Sequence, residues 1–290
     1  INEELAPLVA KNLTQTFNRP VQIGRLERFS LNGLRFGATS VPATPTDPDR
    51  VAVEAVDVAF NPLQVLFTRT LKLDVTLVNP DVYIQQDAQG RWVALNIATG
   101  GKPGPVQIVL DRLYLRNGKA KLVSNVTQIE RPTPQNTIAI ASIDGVAKFR
   151  NNYQLIQFDL DGQPKTGGTL GLQGDFRPKT GQAEVNIKTQ NFLASDLTRL
   201  IKLPLNLQGG RVNAELKANL TPKKLTGLYG TADLNSVTAQ ANQLPQPFYN
   251  SQGRLRFQGT EVQLDNVSSS YGKIPAIASG SLNTKGNYNL

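Results

Sequence analysis

The residues in this chain that could do covalent chemistry are few. Ser270-Tyr271-Gly272-Lys273 has the S-x-x-K spacing of penicillin-binding enzymes, and Lys-Thr-Gly occurs at Lys165-Thr166-Gly167 and again at Lys179-Thr180-Gly181. That chemistry needs the serine and lysine one turn apart on a helix. Here Gly272, Pro275 and Gly280 bracket a β-rich stretch, and both Lys-Thr-Gly triplets precede the serine. Asp159-Leu160-Asp161-Gly162 resembles a fragment of a calcium loop without its third acid or closing glutamate, and reads better as a hairpin turn. The 290 residues contain neither histidine nor cysteine. The usual general base, the usual zinc ligands and the thiolate nucleophile are therefore all lacking. With no phosphate-cradling glycine loop either, the expectation is a protein that is not an enzyme and carries no metal and no cofactor.

What remains is a pattern of alternation. Leu71, Leu73, Val75 and Leu77 alternate with Lys72, Asp74 and Thr76, the period of a half-buried strand. Ala183, Val185 and Ile187 repeat it, as do Val212, Ala214, Leu216, Ala218 and Leu220. Further apolar positions with this spacing are Ile108 with Leu110, Ile156 with Phe158, Leu170 with Leu172, Leu228, and Leu255 with Phe257. A long sheet that is apolar on one side must hide that side against itself, a partner or lipid.

Turn signals fall at Pro80-Asp81, Gln89-Gly90, Asn117-Gly118, Asp161-Gly162, Gly167-Gly168, Gly209-Gly210 and Gly259-Thr260. The apolar parity flips across Asp111-Arg112 and between Ala55 and Val56, and each flip marks a candidate β-bulge. One convincing helix spans residues 3 to 17, with Leu5, Leu8, Val9, Leu13 and Phe17 on one face. Asn61 and Pro62 signal a second, short helix with Leu63, Leu66 and Phe67 turned inward, and a third runs from Ser195 to about Ile201. Trp92 reads as a core anchor. The fold expected is mainly β: a long curved sheet forming an elongated groove with an apolar interior, plus small plug helices. A boundary near residue 103 divides a helix-capped segment, 1–103, from a repeated β segment, 104–290.

The formal charge of +9 invites a nucleic-acid reading, but the cations are spread along polar strand faces and only 7% of residues are aromatic, so no nucleic-acid partner is expected. Between Leu5 and Thr46, Lys11, Arg19, Arg25, Arg28 and Arg35 face a single acid, Glu27, which would hold that end close to anionic headgroups. No run of eighteen apolar residues occurs. The chain begins at Ile1 and contains no methionine, so an upstream segment is expected.

Several stretches together resemble a known family. They are Arg19-Pro-Val-Gln-Ile-Gly24, Gly33-Leu-Arg-Phe-Gly37, Asn61-Pro-Leu-Gln-Val-Leu-Phe67 and Asn79-Pro-Asp-Val-Tyr-Ile-Gln-Gln-Asp87. Ile108 to Gly118, Gly253 to Gly259 and Tyr271 to Gly280 belong with them. The pattern is similar to the amino-terminal part of TamB-like proteins of the AsmA superfamily, in the form found in cyanobacteria and chloroplast envelopes. The resemblance implies a taco-shaped β-groove in the periplasm or intermembrane space, anchored to the inner membrane by an upstream segment. Its implied partners are phospholipid in the groove and an Omp85-type outer-membrane protein docked through a carboxy-terminal domain that this chain lacks. It implies phospholipid transport and outer-membrane biogenesis, with a scaffold for protein assembly or translocation as the alternative.

Overall fold

Alternation on this scale becomes a sheet only if every strand keeps the same face inward, and the strand register shows how that is done. The computed structural model describes residue 14, residues 19–87, residue 92, and residues 107–124, 136–200, 205–222, 225–241, 245–283 and 288–289. Their strands form one 18-stranded sheet. It runs through β1 (Leu26–Ser30), β2 (Gly33–Phe36), β3 (Thr39–Val41), β4 (Arg50–Val53), β5 (Ala55–Phe60), β6 (Thr70–Val78) and β7 (Asp81–Gln85). It continues with β8 (Gln107–Val123), β9 (Thr137–Arg150), β10 (Leu155–Pro164), β11 (Thr169–Arg177) and β12 (Gln182–Leu193). It closes with β13 (Leu205–Leu220), β14 (Leu225–Ala241), β15 (Phe248–Gly259), β16 (Glu261–Tyr271), β17 (Ile274–Asn283) and β18 (Tyr288–Asn289). The two described helices are α1 (Pro62–Thr68) and α2 (Ala194–Leu200).

Three pairs of strands are collinear. β2 and β3 lie end to end against β5 and β4, and these in turn lie against β6 and β7, all in unbroken register. Eighteen strands therefore make fifteen rungs. At the usual inter-strand spacing of about 4.8 Å the sheet is roughly 67 Å long. Most neighbours are antiparallel, but β6 and β7 pair in parallel with β8. Residues 86–106 supply the crossover length that a parallel return requires. The boundary expected near residue 103 falls outside the described residues, as does the helix expected over 3–17 apart from Thr14.

Each helix has a local cause. Asn61 caps α1 by accepting a hydrogen bond at Oδ1 from the Leu63 N–H at 3.1 Å, with Pro62 at the first helical position. Contrary to the sequence expectation, Leu63 and Phe67 point to solvent. Among the described residues the helix packs on β6. α2 is the reverse case. Ala194, Asp196 and Leu197 are buried, and the helix packs on β12, β13 and β9. It plugs one end of the apolar face.

Candidate functional site: a continuous apolar face with a left-handed crease

Paired residues in a β-ladder share a face, so the register can be followed from strand to strand. One row starts at Leu26 and passes through Phe36, Val56, Leu77 and Leu115 to Gly145. It goes on through Leu160, Leu172, Ile187, Leu216 and Gly230. It ends through Phe257, Val262 and Leu282 at Tyr288. Every rung contributes one residue, and no member of the row is charged. A second row two residues away joins Leu34, Val58, Val75, Leu113, Ala147, Phe158, Gly174, Val185, Ala218 and Leu228.

The residues singled out from the alternation lie on this one face. Leu77, Leu172, Ile187, Leu216 and Phe257 are in the first row, and Val75, Phe158, Val185 and Leu228 are in the second. Leu73 with Leu110, Leu71 with Ile108, and Ile156 extend it toward the α1 end. Leu170, Leu255 and Val212 extend it the other way. The opposite face carries cross-strand ion pairs, among them Lys188–Glu215 at 2.9 Å, Lys217–Glu184 at 2.7 Å and Arg254–Asp233 at 2.6 Å. The Arg254 guanidinium, through its hydrogen bonds, holds the Asp233 carboxyl below its ordinary value of 3.8.

Enclosure differs along the face. A single core cluster joins Ala120, Ile138 and Ile140 through Leu170 and α2 to Val212, Leu216, Leu228, Leu255, Phe257, Val262 and Val267. From β5 to the first half of β8 the same face is only half-buried, and Ile108 is 63% exposed.

What folds the sheet about its apolar side is a line of left-handed residues. Asn79, Asn117, Asn191, Gly210, Ser236, Asn250 and Asn266 all have positive φ and sit at strand interruptions or register shifts. Asparagine and glycine tolerate this conformation, and a bulge built on it bends its strand. Neighbouring members touch: the Asn117 side-chain amide donates to Asn79 Oδ1 at 2.8 Å. At Gly210 a Cβ would lie 2.4 Å from the Ser236 carbonyl oxygen, so only glycine fits.

The crease corrects several turn assignments. Asn117-Gly118 lies inside β8, Gly209-Gly210 inside β13 and Asp161-Gly162 inside β10, and Pro80-Asp81 joins two collinear strands. Asp159 to Gly162 is therefore not a hairpin turn. Gly167-Gly168 and Gly259-Thr260 do connect hairpins, whereas Gln89-Gly90 is outside the described residues. The parity flip at Asp111 is a bulge, since Leu73 pairs with Leu110 and Asp74 with Arg112. The flip at Ala55 is not a bulge: the pairing keeps one register across Glu54, where β4 gives way to β5. Ser270 and Lys273 flank the β16–β17 hairpin and share no helix.

The amino-terminal cations have separate settings. Lys11 is outside the described residues. Arg19 clamps the β3–β4 loop, bonding Asp47 at 2.9 Å and the carbonyls of Pro42 and Asp49. Beside it burial raises the Asp49 carboxyl, although that group accepts the Gln85 N–H. Arg35 makes a bidentate pair with Asp57 on the polar face, while Arg25 and Arg28 are exposed. Trp92 donates its indole N–H to the Leu200 carbonyl at 3.4 Å, at the end of α2.

Set against known proteins, the chain is similar to Protein TIC236, chloroplastic, of Arabidopsis thaliana, with 24% identity over 149 residues, 48% of this chain and 7% of that protein. It is also similar to Protein SUBSTANDARD STARCH GRAIN 4, chloroplastic, of Oryza sativa subsp. japonica, with 26% identity over 194 residues, 61% of this chain and 9% of that protein. The chain thus spans less than a tenth of the length of either relative. No family model and no solved structure matches it.

Proposed function

We propose that this chain is a segment of a bridge between two membranes that shelters lipid acyl chains against its apolar face, in the periplasm or the equivalent space of a chloroplast envelope. The observation that carries the reading is the uncharged row crossing all fifteen rungs, backed by a charged outer face. Exposing acyl chain to water costs about 0.8 kcal/mol per CH2, hence tens of kcal/mol for a two-chain lipid. A wall that stays apolar from rung to rung removes most of that barrier, and sliding along it breaks no covalent bond. No catalytic group is needed. Similarity to two chloroplastic proteins supports an organellar or cyanobacterial setting, with an inner-membrane anchor and an Omp85-type partner supplied by other parts of the parent protein.

The half-open stretch from β5 to β8 is where acyl chains have immediate access. Beyond it the walls must part along the crease for the same path to continue. A second reading rests on the enclosed carboxy-terminal cluster: such packing is what a rigid strut or an assembly scaffold for outer-membrane or translocated proteins would use.

Lipid extraction of the purified protein followed by mass spectrometry separates the two. Phospholipid is expected with the unaltered protein and is expected to be lost from Leu73→Glu with Val75→Glu, whose sites are half-exposed and whose fold circular dichroism would check. Lipid absent from the unaltered protein, or unchanged in the double variant, leaves the strut.

A further inference from the structure

A second surface lies at one corner of the sheet, where Phe29 and Ile108, at the edge of the sheltered face, meet the hairpin tip and α1. Five side chains that are 63–87% exposed, Phe29, Leu31, Leu63, Phe67 and Ile108, belong to three segments at one corner of the sheet. Phe29 and Leu31 are at the tip of the β1–β2 hairpin. The Phe60 N–H donates to the Asn32 carbonyl at 3.0 Å, which sets that tip beside the start of α1 with Leu63 and Phe67. At the other end of α1, the Gln107 N–H donates to the Arg69 carbonyl at 2.9 Å, and Ile108 pairs with Leu71. The corner is thus a protruding rim, made of a hairpin tip, one short helix and two strand starts.

Its charges are one-sided. Arg28, Arg69 and Lys72 are exposed around the apolar tips. The acids nearby already have cations: Asp57 and Glu27 pair with Arg35, and Asp74 pairs with Arg112. Arg28 reaches Asp57 only at 3.9 Å. Among the described residues, Arg69 and Lys72 have no ion pair.

We infer that this rim is a docking surface for an anionic lipid bilayer. Leu31, Leu63 and Phe67 enter the headgroup boundary, and Arg28, Arg69 and Lys72 lie against lipid phosphates. Protruding apolar tips ringed by cations suit an interface with an apolar interior and a negative surface. Protein interfaces are depleted in lysine, whereas Lys72 stands exposed beside these tips. The inference does not depend on acyl chains entering the groove, because the rim residues touch the bilayer from outside.

The test is co-sedimentation of the protein with vesicles of phosphatidylcholine alone or of equal parts phosphatidylcholine and phosphatidylglycerol. Binding to the anionic vesicles should be roughly tenfold tighter or more, and should weaken with added salt. Leu31→Glu with Phe67→Glu should abolish it, with the fold intact because both side chains are in solvent. Arg69→Glu with Lys72→Glu should bring anionic binding down to the level seen with phosphatidylcholine. Leu73→Glu with Val75→Glu should bind vesicles normally, which keeps loss of carried lipid distinct from loss of docking. No binding by the unaltered protein, or binding that survives the Leu31 and Phe67 changes, overturns the inference.

Discussion

The carboxy-terminal rungs and the amino-terminal rungs use the same alternation and end in different states. In β13 to β15 most inward residues are buried and share a cluster with α2, whereas in β5 to the first half of β8 the equivalent residues remain half-exposed. Residue type does not separate them, since Leu77 and Leu216 occupy the same cross-strand row. The difference lies in what sits beside the row. Small partners such as Ala214, Ala218, Ala232 and Gly230 pair across β13 and β14, and α2 packs on β13. Around β6, Val75 is flanked by Val58 and Leu113, and the nearby helix α1 turns its Leu63 and Phe67 outward. A strip of constant chemistry can thus be locked in one stretch and accessible in another.

The contrast can be broken in order of size. Phe192→Ala removes a side chain with no solvent exposure beside α2 and should cost about 3–5 kcal/mol in urea unfolding, whereas Leu77→Ala in the open stretch should cost about 1–2 kcal/mol. Equal losses would mean that the two stretches are packed alike. Next comes the crease: Asn117→Val and Asn266→Val each force a β-branched residue into left-handed backbone, for about 1–2 kcal/mol, and the matching Asn→Gly changes should be nearly neutral by thermal denaturation.

The smallest effect belongs to the polar face. Asp233→Asn should cost at most about 1 kcal/mol, because the Arg254 pair is solvent-exposed. The Asp233 carboxyl titrates lower in the folded chain than its ordinary 3.8, so the pair's contribution is complete above that value and fades as pH falls through the depressed one. A pH titration of stability in which the Asn variant keeps the same acid-side slope as the parent would remove Asp233 from the account.

The inward face was readable from the sequence because period-two alternation survives in Leu71–Leu77, Ala183–Ile187 and Val212–Leu220, where no bulge intervenes. Where a bulge does intervene the parity shifts, and local signals mislead. Asn117-Gly118 has the composition of a hairpin turn, yet β8 runs straight through it, because one left-handed residue bends a strand without reversing it. The signal that could have found the crease was an Asn or Gly located at most of its corners, as at Asn191 between Thr189 and Phe192. Phe192 and Val237 escaped notice for that reason: each follows a shift and so leaves the expected alternation. The parallel return from β7 to β8 was illegible, since pairing direction depends on where residues 86–106 bring the chain back and not on the strands themselves.

Because the crease is assembled from single residues, the cross-section of the molecule is specified locally, rung by rung. Inserting one more hairpin with its own left-handed corners would lengthen the structure by about 10 Å and leave its width untouched. Span and bore are therefore independent quantities in this architecture. A longer sheet can be built by repetition alone, with its cross-section unchanged.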